Sequence, residues 1–143
     1  MLIAAILAHK GRDVFTVDPH SSVGTVIELL RDHGVGALVV SVDGVTVSGV
    51  VSERDIVRGL AEIGHRVLTT PVASMMTEGV VTCTPGDTTE QLMEIVTTQR
   101  IRHVPVLDDG RLVGLVSIGD IVAARVRELE DETHVLRDYI TSG

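Results

Sequence analysis

The chain repeats itself. Val14-Phe15-Thr16-Val17-Asp18-Pro19 returns as Val80-Val81-Thr82-Cys83-Thr84-Pro85. Gly49-Val50-Val51-Ser52-Glu53-Arg54-Asp55-Ile56-Val57 returns as Gly114-Leu115-Val116-Ser117-Ile118-Gly119-Asp120-Ile121-Val122. Val14 to Val80 is 66 positions and Gly49 to Gly114 is 65, so one residue is lost within the unit. Such a unit is a small domain, longer than the roughly 20–50 residues of a solenoid repeat. Two such domains facing each other across a pseudo-twofold axis bring equivalent side chains to shared clefts. That favours a ligand held between repeats over one asymmetric catalytic centre.

Each unit reads as strand, helix, strand, strand, helix. In the first, Phe15 to Val17 is a strand ended by Pro19, and Ser22 to His33 is a helix with Val23, Val26, Ile27 and Leu30 on one face. Gly34 stops that helix. Val35 to Val42 and Val45 to Val51 read as paired strands joined by an Asp43-Gly44 hairpin turn. Ser52 opens a helix to about Leu60. In the second unit Asp87 reads as a helix N-cap, boxed by Glu90, and Leu92, Met93 and Val96 form the apolar stripe. Val104 to Leu107 and Leu112 to Val116 flank the Asp109-Gly110 turn, and Ser117 opens the last helix. The expected boundaries are 1–62 for repeat one, 63–71 for a linker read as an ordinary loop, 72–125 for repeat two and 126–143 for a C-terminal amphipathic helix.

That last helix has no counterpart in repeat one. Val122, Val126, Leu129, Thr133, Leu136 and Ile140 alternate four and three apart, a heptad seam between charged faces. It packs either on its own domain or on a partner chain.

Composition narrows the function. With 44% hydrophobic residues and only Phe15 and Tyr139 from the Phe, Trp and Tyr set, the core must be aliphatic. A net charge of −8 argues against general nucleic-acid binding, which needs basic patches. The single cysteine, Cys83, cannot form an intramolecular disulfide and reads as a small buried hydrophobe in a reducing compartment. The apolar start has no basic segment before it and no cleavage site after it, and no run reaches the roughly 20 residues that span a bilayer. A soluble, cytoplasmic chain with no membrane partner is expected.

Two groups of residues can carry chemistry. Ser52-x-x-Asp55 and Ser117-x-x-Asp120 stand where a strand becomes a helix. They are either capping boxes or a binding device, in which free helical N–H groups meet an anion and the carboxylate accepts from ribose hydroxyls. Arg100, Arg102 and His103 precede Val104 and Pro105 and form a candidate phosphate clamp. Alternation puts Arg100, Arg102 and Val104 on one strand face. Repeat one has Gly34 to Ala37 there, although Arg54, whose counterpart is Gly119, can partly compensate. His9, His20, His33, His65 and His134 are scattered, without zinc spacing, and no Walker, dinucleotide or nucleophile-elbow motif occurs. No enzyme activity is expected.

The doubled Gly-h-h-Ser-x-x-Asp-Ile pattern, with Arg102-His103-Val104-Pro105-Val106 and Asp109-Gly110-Arg111-Leu112-Val113-Gly114, resembles a tandem pair of CBS domains, the Bateman module, over about residues 2–125. It is similar to small stand-alone bacterial proteins of that family with an extra C-terminal helix. The resemblance implies a mixed α/β (α+β) fold of two β-α-β-β-α units and a non-enzymatic sensor of AMP, ADP, ATP, NAD or S-adenosylmethionine, with no covalent cofactor. It implies ribose contacts from Asp55 and Asp120, hydroxyl contacts from Ser52 and Ser117, adenine-side contacts from Thr16 and Thr82, and phosphate contacts from Arg102, His103, the adjoining Val104-Pro105 backbone and Arg54. A homodimer and an unknown effector protein are the implied partners. On this reading the Asp120 cleft, taken to hold the Arg102 clamp, binds more strongly. The alternative is a ligand-free dimerisation module.

Overall fold

The computed structural model describes residues 1–11 and 13–141 and the backbone of Ser142. Gly143, the last residue of the expected C-terminal helix, lies outside them. The elements run α1 (Ile3–Lys10), β1 (Thr16–Val17), α2 (Val23–His33), β2 (Ala37–Val40), β3 (Gly49–Ser52), α3 (Glu53–Ile63), α4 (Thr89–Gln99), β4 (His103–Asp108), β5 (Arg111–Ser117) and α5 (Ile118–Ser142). Ser22 accepts from the Thr25 amide at the start of α2, and Gly34, at φ 64°, ends it in the left-handed conformation that costs glycine least.

Among the described residues the strands form two sheets. β1 lies parallel to β2, with Val17 opposite Val40, and β2 pairs antiparallel with β3. β4 and β5 form the second sheet, closed by a two-residue turn in which Asp109 (φ 52°) and Gly110 (φ 77°) both take positive φ. The expected hairpin of repeat one is different. Asp43 accepts from the amides of Val45 and Thr46, both at 2.8 Å, so the chain loops over 41–48 before β3 begins. Those amide bonds, Thr46 first, hold the Asp43 carboxyl down to about 2. The copy of β1 is reduced to one parallel bridge, Cys83 to Val106, the equivalent of Val17 to Val40.

Two other local readings change. The cap of α4 is Thr88, boxed by Gln91, not Asp87 with Glu90, because Asp87 turns back to accept from the Thr84 amide. Residues 64–69 and 72–74 form short 3-10 helices rather than an ordinary loop, with Val67 and Val72 fully buried.

The repeats exchange their leading segments. Val72 donates to the Ser21 carbonyl at 2.8 Å and Ala73 to that of Pro19 at 3.0 Å. In the copy, Ile3 donates to Asp87 at 2.8 Å and Ala4 to Pro85 at 2.9 Å. Each repeat therefore completes its core with chain lying before the other's first strand. Val67 and Val72 join the core of repeat one, while Ile3, Ile6 and Leu7 of α1 join Cys83, Leu92, Val104, Val106 and Ile121 in repeat two. Each of these large aliphatic side chains contributes about 1.5–3 kcal/mol on full burial. The paired motif glycines follow from the exchange. A Cβ on Gly49 falls 2.6 Å from the Thr77 carbonyl oxygen, and one on Gly114 falls 2.5 Å from Leu7 Cδ2.

Candidate functional site

The hinge between sheet and helix is built alike in both repeats. Glu53 donates its amide to the Gly36 carbonyl at 3.0 Å, and Ile118 donates to that of Arg102 at 2.8 Å. This fixes the N-termini of α3 and α5 beside the segments that lead into β2 and β4. At α3, the Ser52 amide and hydroxyl both donate to Asp55 Oδ2, at 2.9 and 3.1 Å, and the Asp55 amide donates to Ser52 Oγ at 3.4 Å. At α5, the Ser117 amide donates to Asp120 Oδ2 at 2.9 Å and the Asp120 amide to Ser117 Oγ at 3.1 Å. Both motifs are thus capping boxes, and both also line a cavity.

The first cavity encloses about 730 Å³ around Asp55. Arg54 and Arg58 reach it from α3, and Arg100 and Arg102 from the chain before β4. None of the four forms an ion pair among the described residues. Thr77, carried in by the exchanged segment, closes one wall through backbone bonds with Val50.

The second cavity, about 480 Å³, holds Asp120 together with Phe15 and Asp13. Lys10 enters it from the end of α1 and donates to Asp120 Oδ2 at 2.6 Å and to the Leu115 carbonyl at 2.8 Å. Burial pushes the Asp120 carboxyl up, but hydrogen bonds from Lys10 and Ser117 outweigh it and leave the group below the usual carboxylate range. Gly36, His103 and Ser117 line both cavities and form the partition between them. Burial, with Lys10 and Arg102 nearby, pulls the His103 imidazole below its ordinary range despite Asp120.

The geometry divides the expected residues differently from the sequence. Ser52, Arg54, Asp55, Arg102, His103 and Ser117 meet in the first cavity, and His103, Ser117 and Asp120 in the second. Arg102 therefore stands with Asp55 rather than Asp120, which removes the reason for ranking the Asp120 cleft above the other. Arg100 is not on a strand face with Arg102, because it caps α4 at φ 54°. Val104 and Pro105 are buried in β4 behind the cavity, and neither Thr16 nor Thr82 is among the lining residues. Lys10, Arg58 and Thr77 went unseen. Arg58 was findable, four residues after Arg54 on one helix face. Lys10 and Thr77 arrive through the segment exchange, which leaves no local pattern.

No cluster of three or more His, Cys, Asp or Glu able to hold a metal occurs among the described residues. No helix there is long and apolar enough to cross a membrane. The family model for the CBS domain matches residues 9–62 and again 72–127.

The chain belongs to the CBS-domain family.

The solved CBS-domain protein ATU1752 from Agrobacterium tumefaciens is 47% identical, with a TM-score of 0.84 over 87% of this chain and 99% of that one. Among curated proteins, the mitochondrial CBS domain-containing protein CBSX3 of Arabidopsis thaliana is 37% identical over 126 residues. That match takes in 85% of this chain but only 61% of CBSX3. The CBS domain pair of protein MJ0100, solved in complex with 5′-methylthioadenosine and S-adenosyl-L-methionine, is 22% identical with a TM-score of 0.79 over 90% of this chain and 98% of that one, a likeness of fold alone. The second match to the family model ends at residue 127, before most of α5.

Proposed function

We propose that this CBS pair is a non-enzymatic regulatory module that binds an adenosine-containing ligand, with its principal site in the Asp55 cavity. One observation carries the reading: the Asp55 carboxylate at a helix N-terminus, with Glu53 beside it, shares a single cavity with four arginines that form no ion pair among the described residues. The carboxylate suits vicinal ribose hydroxyls, and the arginines and helix end suit phosphate. The volume lies within the roughly 300–1,000 Å³ usual for small-molecule sites. Four cations favour AMP, ADP, ATP or NAD over S-adenosylmethionine, whose sulfonium carries positive charge. The MJ0100 complexes support the adenosyl class, and the excess of arginines over carboxylates in this cavity favours its phosphate-bearing members. A shift in the repeat–repeat hinge on binding is what an effector protein in the cytoplasm would read.

The test is a thermal-shift series with these five ligands, followed by calorimetry. Ligand at 100 times its dissociation constant stabilises by about 2.7 kcal/mol, enough to raise the midpoint by several degrees. A shift with the phosphate-bearing ligands that is lost in Asp55→Ala supports the reading. A second reading, a ligand-free structural module, is favoured by the capping bonds that already engage Asp55 and Asp120. No shift with any ligand in folded protein selects it.

A further inference from the structure

Arg100 holds a backbone conformation that its residue type disfavours. It ends α4 at φ 54° and ψ 37°, in the left-handed region. Its counterpart in repeat one, 66 positions earlier, is Gly34, which ends α2 at φ 64° and ψ 37°. Glycine takes this conformation freely, whereas a Cβ crowds the adjoining carbonyl. Among the described residues the other non-glycine with positive φ is Asp109, and the tight turn it shares with Gly110 demands that geometry. The end of α4 requires a left-handed residue, but it does not require an arginine. The cavities supply the difference: Arg100 lines the one around Asp55, and Gly34 lines the one around Asp120.

The same one-sidedness runs through all four arginines. Arg54 corresponds to Gly119, Arg58 to Ala123 and Arg102 to Gly36. Every arginine of the Asp55 cavity therefore has a small residue as its twin, although two come from each repeat. Two carboxylates, Asp55 and Glu53, share the cavity, so positive charge is in excess there. The excess is also spread out. Arg54 stands in the first turn of α3, and Arg58 lies one turn on, about 6 Å farther along the axis. A monophosphate brings about two negative charges to one place. It answers the groups at the helix end and leaves the outer arginines without an anion. We propose that Arg100, together with Arg58, makes this cavity select a nucleotide with two or more phosphates over the monophosphate. The inference rests on the adenosine reading above and adds the length of the phosphate chain. It also gives the disfavoured backbone at Arg100 a reason: the arginine is kept for its guanidinium at the cost of an easier helix end.

The full chain is titrated calorimetrically with AMP, ADP and ATP, beside Arg100→Gly, Arg100→Lys and Arg58→Gln, and each protein is melted without ligand. Wild type is expected to bind ADP and ATP at least about tenfold more tightly than AMP, the worth of one charge-assisted bond. Arg100→Gly, which copies Gly34, should melt higher than wild type and lose most of that ratio. Arg58→Gln should lose part of it, and Arg100→Lys should keep most of it while gaining no stability. A gain in melting temperature with a loss of discrimination is a pair of opposite effects that a damaged fold does not produce. Equal affinity of wild type for the three nucleotides overturns the proposal and leaves the adenosine reading standing. So does an unchanged ratio in Arg100→Gly, or an Arg100→Gly that melts no higher than wild type. Absence of binding by all three in folded protein overturns both.

Discussion

Lys10 Nζ lies 2.6 Å from Asp120 Oδ2 and 2.8 Å from the Leu115 carbonyl oxygen. In the other repeat the position of Leu115 is held by Val50, whose carbonyl accepts from the backbone amide of Thr77 at 2.9 Å. A lysine side chain thus stands where repeat one uses main chain, and it places a cation on the ribose-type carboxylate of one cleft only. Replacing it with methionine keeps the apolar stem and frees the carboxylate. Lys10→Met is expected to add or tighten an adenosine site, read as a rise in calorimetric stoichiometry. Unchanged stoichiometry and affinity rule out Lys10 as an obstacle in that cleft. The same variant has a pH signature. The folded-state acidity of Asp120 lies below its unfolded value of about 3.9, so its contribution is present above that pH and is lost as pH falls through the lower folded value. The stability gap between wild type and variant should close across that acid range.

Asp55→Ala and Asp120→Ala separate capping from binding. Each removes one acceptor of a capping box, so each should cost about 1 kcal/mol in chemical denaturation. Only Asp55→Ala should abolish binding of the phosphate-bearing ligand. Equal loss of affinity in both variants would mean that the arginine-lined cavity is not the principal site.

Gly114→Ala tests the segment exchange. Its Cβ meets Leu7, and overpacking of this kind costs about 1–3 kcal/mol. Gly49→Ala meets the Thr77 carbonyl, which is less able to yield than a leucine tip, so it should be the more damaging of the two. Near-wild-type stability in both would contradict the close approach of α1 and of the 70–77 segment to the two sheets.

His103 predicts a slope near neutrality. Burial holds its folded-state value below the ordinary value of about 6.5, so the unfolded chain binds more protons in the interval between them. Stability should therefore fall as pH drops below about 6.5 towards the folded value, and His103→Gln should flatten that segment of the profile. A phosphate-bearing ligand beside Arg102 should raise the His103 titration followed by NMR. An unmoved titration in saturated protein would place the phosphates away from the partition.

The doubled motif makes the architecture legible in the sequence itself. Gly49 with Ser52 and Asp55, and Gly114 with Ser117 and Asp120, announce two equal strand-to-helix corners, because glycine permits close approach and Ser-x-x-Asp caps a helix. Alternating and helical periodicity located most of the elements, and the seam from Val122 to Ile140 identified a helical face. Local spacing marked Arg102 and His103 as candidate phosphate contacts, with Arg54 as a partial substitute in repeat one, and the resemblance set them at a cleft.

Which cleft they serve was a tertiary decision. The exchange of residues 1–10 and 70–77 between repeats depends on backbone bonds across 51 to 84 positions of sequence, from Val72–Ser21 to Ile3–Asp87, which periodicity does not record. That exchange brings Lys10 to Asp120 and Thr77 to the Asp55 cavity. The fold of the hinge then brings Arg100 and Arg102 into the cavity that holds the carboxylate of the other repeat. Local chemistry determined what the corners are made of; long-range packing decided which charges meet there, because apolar burial positions the segments and their polar side chains travel with them.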